Sequence, residues 1–248
     1  MLNISIESER LFPRDVNKPH LDKAEQRFIW LLKQRDYSFW REDQLEQKIK
    51  VLGKRPDFYV CTPQNGQFLV EVESFIEPGA LQGIETKVIA LNPEPVFNRI
   101  RTALKNAADQ LRPYRHLNVP MLVILDNWRR VGIPSNILDL RNALFGTLEI
   151  RKPFDPGGAS DAPGMWHHGK GQRLTATQGD YISAVAWNLP KVRYEDDSMT
   201  QERPMYLRMI HNPFAAVPFP IELFNNGHDE HWGYREDHWV NFHALSDV

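Results

Sequence analysis

Three segments of the chain place acidic side chains where apolar ones are expected. In the run Phe68-Leu69-Val70-Glu71-Val72-Glu73-Ser74-Phe75, an extended backbone sends Phe68, Val70 and Val72 to one face. Leu69, Glu71, Glu73 and Phe75 go to the other. Two carboxylates thus share a face, about 7 Å apart by strand rise. Each raises the pKa of the other unless a cation lies beside them. An edge strand with one solvated face is the ordinary alternative, but Leu69 and Phe75 make that face half apolar. Asp57 follows Pro56 at the start of the preceding apolar run. Pairing of the two runs brings it toward Glu71, and Pro56 suits a strand start rather than an interior. Glu25 falls at helical spacing among Leu21, Phe28 and Ile29, either on the apolar stripe or at its edge, where it reaches solvent. Carboxylates gathered from one helix and two strands suit a hard divalent cation, Mg²⁺, Mn²⁺ or Ca²⁺, rather than zinc.

The elements that must position these acids are legible in the periodicity. Leu21, Phe28, Ile29 and Leu32 mark a helix, with Asp22 near its positive end. Arg41 to Lys50 is predicted to be helical, with Leu45 and Ile49 on one side. The runs Lys48–Val60 and Gln67–Phe75 are rich in β-branched and aromatic residues. Thr62-Pro63-Gln64-Asn65-Gly66 separates them, which is turn chemistry and predicts a hairpin. Residues 77–97, with Pro78, Gly79, Gly83, Pro93 and Pro95, read as an irregular excursion. Residues 97–112 form a second helix with an Ile100, Ala103, Leu104, Ala107, Leu111 stripe; Arg99, Arg101, Lys105 and Arg112 lie off it. Pro120–Trp128 is a nearly continuous apolar run, expected as a strand buried between helices on both faces. A helix and short strand are expected over 134–150, a loop-rich stretch over 153–180, and two strands at Tyr181–Leu189 and Met205–Asn212.

The whole is therefore expected to be an α/β fold, a central mixed sheet flanked by helices. Residues 1–150 are expected to form the core. Residues 151–248 are expected to be an extension whose strands pack on the same core and whose tail is rich in proline and aromatics. Composition agrees: 42% hydrophobic and 25% charged residues over a length of 248 exclude a disordered tail, a collagen-like repeat and a coiled coil. One cysteine, Cys61, excludes an internal disulfide and a cysteine-based zinc finger. The opening stretch is acidic by Glu7 and lacks the apolar centre of a signal peptide. The longest charge-poor stretch, near Met209–Ile221, holds three prolines and is too short to span a bilayer. No membrane association and a cytoplasmic location are expected. A net charge of −2 leaves room for a local basic patch and a nucleic-acid partner.

The arrangement resembles the PD-(D/E)xK nuclease superfamily, which has the restriction-endonuclease-like fold. Pro56-Asp57 is followed, after 13 residues, by Glu71-Val72-Glu73, and Glu25 occupies the helix position. Gln110-Leu111-Arg112-Pro113-Tyr114 resembles the QxxxY motif of the RecB-, Cas4- and phage-exonuclease-like branches. Pro113 disfavours helical geometry at Arg112, so that pair also fits an ordinary helix end. The resemblance covers roughly residues 20–127. It implies Mg²⁺ or Mn²⁺ held by Asp57 and Glu71, with Glu25 and the Val72 carbonyl as further ligands. It implies that Gln110 and Tyr114 hold substrate phosphate and shape the metal site. The superfamily's lysine is replaced by Glu73; some type II restriction enzymes also carry glutamate there. Glu73 could accept a proton from the attacking water or recruit a second metal. Lys54 or Lys105 could supply the displaced cation.

The implied activity is hydrolysis of phosphodiester bonds in DNA, less readily RNA, endonucleolytic rather than exonucleolytic, in bacterial defence or DNA repair. Arg99, Arg101 and Lys105 would meet the phosphate backbone, or form a solvated helix face. A homodimer or a partner protein in a larger complex is expected. The competing reading is a catalytically degenerate nucleic-acid-binding or assembly module of the same fold; a plain interaction protein with a carboxylate-lined cation site comes third. Histidines 167, 168, 228, 231, 238 and 243 invite a zinc site, but surface histidines in an aromatic tail are the preferred reading. Gly157-Gly158 and Gly169-Lys170-Gly171 lack the strand–loop–helix setting of a phosphate loop. Trp166, Trp187, Trp232 and Trp239 could stack on bases, with packing as the default.

Overall fold

The acids are carried by a mixed sheet of eight strands. A computed structural model describes residues 23–74, 94–126, 136–146, 148–151, 165–168, 171–190, 193–195, 198–200, 205–225, 228–235 and 238–242. In chain order these hold α1 (Lys23–Lys33), β1 (Ser38–Arg41), a 3-10 turn (Glu42–Gln47), β2 (Phe58–Cys61) and β3 (Gln67–Ser74). Next come α2 (Glu94–Leu111), a second 3-10 turn (Arg112–Leu117), β4 (Met121–Asp126) and α3 (Ile137–Phe145). Nine-tenths of the remainder is strand and loop: β5 (Leu148–Arg151), β6 (Met165–His168), β7 (Ala184–Pro190), β8 (Arg193–Glu195), β9 (Ser198–Thr200), β10 (Met205–His211), β11 (Glu230–Arg235) and β12 (His238–Asn241).

The main sheet runs β1-β2-β3-β4-β7-β10-β11-β12. Strands β3, β4 and β7 are mutually parallel, β10 and β11 are parallel, and the other neighbours are antiparallel. This is the expected α/β architecture with a mixed central sheet. The strands after residue 151 continue the sheet directly, since β7 lies beside β4. Every residue of β4 is buried, as its unbroken apolar sequence predicts for a strand covered on both faces.

Two apolar clusters supply that cover. Leu69, Val123 and Leu125 face α2 and α3 through Ile100, Leu104, Leu111 and Leu144. Val70, Leu122 and Ile124 face α1 through Phe28, Leu31 and Leu32, together with Phe219 and Phe224. Three expectations need correction. Arg41–Lys50 is a 3-10 turn over Glu42–Gln47 rather than an α-helix. The strand expected from Lys48 starts only at Phe58. Ser38–Arg41, not expected as a strand, pairs with β2. Leu21, residues 77–92 of the excursion and residues 153–164 of the loop-rich stretch lie outside the described residues. Among the described residues no helix is long and apolar enough to cross a membrane.

One buried ion pair fastens α1 to the sheet. Arg27 sits on the buried side of α1 and reaches Asp126 at the end of β4 with two guanidinium nitrogens, one at 3.0 Å. Asn188 of β7 donates to the same carboxylate at 3.1 Å. Removing one member of a buried pair strands the other charge, at a cost of about 3–5 kcal/mol. Arg27→Leu is therefore expected to lower stability by about that amount. Urea unfolding checks it, and a loss under about 1 kcal/mol would show that the pair holds nothing together.

Candidate functional site

The hairpin turn sets the register on which the site depends. Thr62 N–H donates to the Gly66 carbonyl at 2.8 Å, and Asn65 N–H to the Thr62 carbonyl at 3.0 Å. Gly66 N–H donates to Thr62 Oγ1 at 2.9 Å. Asn65 takes a left-handed backbone, φ 63°, which asparagine tolerates. This turn pairs Cys61 with Gln67 and, at the far end, Phe58 with Val70. One step further the ladder stops, because Pro56 has no N–H to give.

Side chains complete what the backbone leaves open there. Asp57 N–H donates to Glu71 Oε2 at 3.3 Å. In return Val72 N–H donates to Asp57 Oδ2 at 2.7 Å. The two acids are thus cross-linked through each other's strand. Residues on an antiparallel strand turn N–H and C=O to the same side, so the Val72 carbonyl faces the Asp57 side as well.

Glu71 follows Leu69 on the face covered by α2, and it is only 3% exposed. Gln110, near the end of α2, donates from Nε2 to Glu71 Oε1. Burial pushes the Glu71 carboxyl up to about 10, and Asp57, Glu73 and Glu25 add to that shift. At neutral pH it carries a proton. Glu73 is half-buried further along β3; burial raises it to about 7, against the opposing pull of Lys54. Lys54 itself is exposed.

Glu25 stands at the flank of α1, not on its buried stripe, which is formed by Ala24, Arg27, Phe28, Leu31 and Leu32. Its carboxylate meets Arg41 of β1 at 3.5 Å. Close as it is to Glu71 electrostatically, it has a cation of its own. This follows the edge-of-stripe reading.

Tyr114 requires a correction. Pro113 ends α2 at Leu111 and starts the tighter 3-10 turn, which swings Tyr114 into full burial. Its hydroxyl accepts from Leu52 N–H at 3.2 Å and donates to the Lys54 carbonyl at 3.0 Å. Tyr114 braces the segment that leads into Asp57; it does not face a substrate. Arg101 is the second correction. It is 4% exposed, donates to the Ala143 carbonyl and to Asn98, and packs against Gly171, where a Cβ would sit 2.6 Å from its guanidinium carbon. It ties α2 to α3 and cannot serve phosphate. Lys105 is exposed and Arg99 half-buried on the same helix.

The hardest residues to foresee were Arg27 and Arg41, whose partners are distant in sequence. The available signal was an arginine one position before Phe28 in an otherwise apolar stripe. Among the described residues, no three histidine, cysteine, aspartate or glutamate side chains stand together as a ready metal-binding group. Both Glu71 oxygens are engaged, by Gln110 and by Asp57 N–H. What the arrangement offers is a dry, acid-rich corner with one carboxyl held neutral and a second near neutrality.

Two consequences can be measured. With Glu71 moved from an ordinary 4.5 to about 10, the native state holds a proton that the unfolded chain has released. Stability drains away as pH climbs through that window. Glu71→Gln is expected to gain on the wild type as pH rises from 6 to 9 in thermal unfolding; a constant difference would refute the buried acid. Tyr114→Phe loses two bonds to the 52–54 segment and should cost about 1–2 kcal/mol, with faster amide exchange confined to residues 48–57. Comparison with protein-family models, with curated proteins and with solved structures finds no match for this chain.

Proposed function

We propose that the protein is a metal-dependent nuclease that hydrolyses phosphodiester bonds in DNA, and RNA less readily, on a PD-(D/E)xK-like scaffold. The observation that carries this is Glu71: a buried carboxyl with three other acids acting on it and, among the described residues, no cation in ion-pair contact. The order of elements supports the same reading. A helix bears Glu25, a strand opens after Asp57, the next strand bears Glu71 and Glu73, a helix bears Gln110, and a buried strand follows.

The donor set fits Mg²⁺ or Mn²⁺ in kind, being all oxygen and strongly acidic. Asp57 and Glu71 would hold the ion, with the Val72 carbonyl and Glu25 as further oxygens. When bound, it would supply Lewis acidity toward a phosphate oxygen and a lower pKa for an attached water. Glu73, titrating near neutrality, suits the acceptance of a proton from the attacking water. Lys54 lies where its charge offsets that of Glu73, in the sense the superfamily's lysine would. Gln110 orients Glu71. Lys105 and Arg99 would attract the phosphate backbone.

A second reading rests on a specific observation. The acids hydrogen-bond to each other's strands and to Gln110 rather than converging on one point, as expected of a catalytically degenerate binding or assembly module. Incubation of linear and supercoiled DNA with Mg²⁺, Mn²⁺ or EDTA separates the two. Cleavage that needs the metal, and that disappears in Asp57→Ala and Glu71→Ala with folding retained, is the expected result. Salt-dependent binding without cleavage would favour the module; cleavage surviving both substitutions would remove these acids from the reaction.

A further inference from the structure

Far from this site, two histidines meet across the parallel pair β10–β11. His211 Nε2 lies 2.8 Å from His231 Nδ1. His231 is fully buried, and its other nitrogen, Nε2, lies 3.4 Å from the Phe224 carbonyl. A carbonyl only accepts, so His231 carries its hydrogen on Nε2. Its Nδ1 is then the acceptor, and His211 donates from Nε2. Aromatic rings close the surroundings: His211 packs on Phe219 at 6.3 Å and on Phe242 at 5.5 Å, both edge-on.

We propose that this pair is a pH-sensitive clasp, which fastens the β11–β12 hairpin to the sheet near neutral pH and loosens below about pH 6. The reason is a count of hydrogens. One added proton leaves the N–H···N bond intact. A second would set two N–H groups and two positive charges head to head between buried rings, so the native pair holds at most one. Unfolded, both rings titrate near the ordinary histidine value of about 6.5. The charged groups on the packed elements do not relieve this. Arg35 is paired with Asp229, Arg208 with Glu230, Glu222 and Arg235 are exposed, and the Tyr37 hydroxyl, raised further by burial, stays neutral.

The hairpin depends on this contact because little else ties it down. Only Arg208–Glu230, Met209–His231 and Ile210–Trp232 are paired between β10 and β11. Phe242 N–H also returns to the His231 carbonyl at 2.8 Å, and the Phe242 ring lies so close to Gly233 that a Cβ there would meet it at 2.3 Å. Loss of His231 from its seat therefore disturbs both strands of the hairpin together.

The test uses the full chain with labelled histidine rings, followed by nitrogen NMR from pH 7.5 to 5. At most one of the two rings should gain a proton above pH 5; independent titration of both near 6.5 would overturn the clasp. Hydrogen exchange at pH 7.5 and 5.5, corrected for intrinsic rates, should show protection falling over 228–242 while β3 and β4 keep theirs. Unchanged protection over 228–242 counts against it. Between pH 6 and 5 the unfolding constant of the wild type should rise about tenfold more than that of His211→Asn/His231→Phe. Equal slopes would overturn the proposal, and if that variant fails to fold, the ring titration decides alone.

Discussion

A carboxylate taken out of water must find a compensating charge, a set of donors, or a proton, and this protein uses all three. Asp126 has Arg27 and Asn188. Asp229 has Arg35, and the Leu207 N–H at 2.7 Å. Glu71 differs: its neighbours are Gln110 and a backbone N–H, and its charge is suppressed. The first two are joints between elements. The third sits at the one corner where the acids of α1, β2 and β3 act on each other, and that contrast separates a candidate site from architecture.

The corner exists because a ladder ends early. Pro56 stops β2 one residue short, and the freed positions on β3 are taken up by side-chain oxygens. Burial by α2 then turns an ordinary strand-end arrangement into a high-energy one for charge. The same helix contributes both the amide that holds Glu71 and, past its proline, the phenol that holds the approach to Asp57. Site and scaffold are therefore joined through a single element, α2 with its 3-10 extension.

Much of this was readable from residue types alone. The hairpin followed from Thr62–Gly66 between two β-rich runs, the shared face of Glu71 and Glu73 from strand alternation, and the buried strand Met121–Asp126 from its lack of polar interruption. What escaped had causes of two kinds. Ser38–Arg41 is too short, at four residues, to display a period. Arg27, Arg101 and Tyr114 took roles set by partners 42 to 99 residues away, which no local pattern encodes. Tyr114 is the clearer case: Pro113 signalled an end to regular helix, but where the turn would then carry the phenol depended on a loop approaching from elsewhere.

The tight five-residue connection between β2 and β3 carries a further consequence. Strand side chains alternate, so lengthening or shortening that connection by one residue would offer the sheet a choice it cannot satisfy. Keeping Phe58 and Val60 inward would shear Asp57 away from its counterpart, whereas keeping the acids opposed would turn aromatic side chains out into water. Tolerance to insertion should thus be far lower here, at a surface-exposed bend, than in the longer stretch between Gln47 and Pro56, where no such parity is at stake.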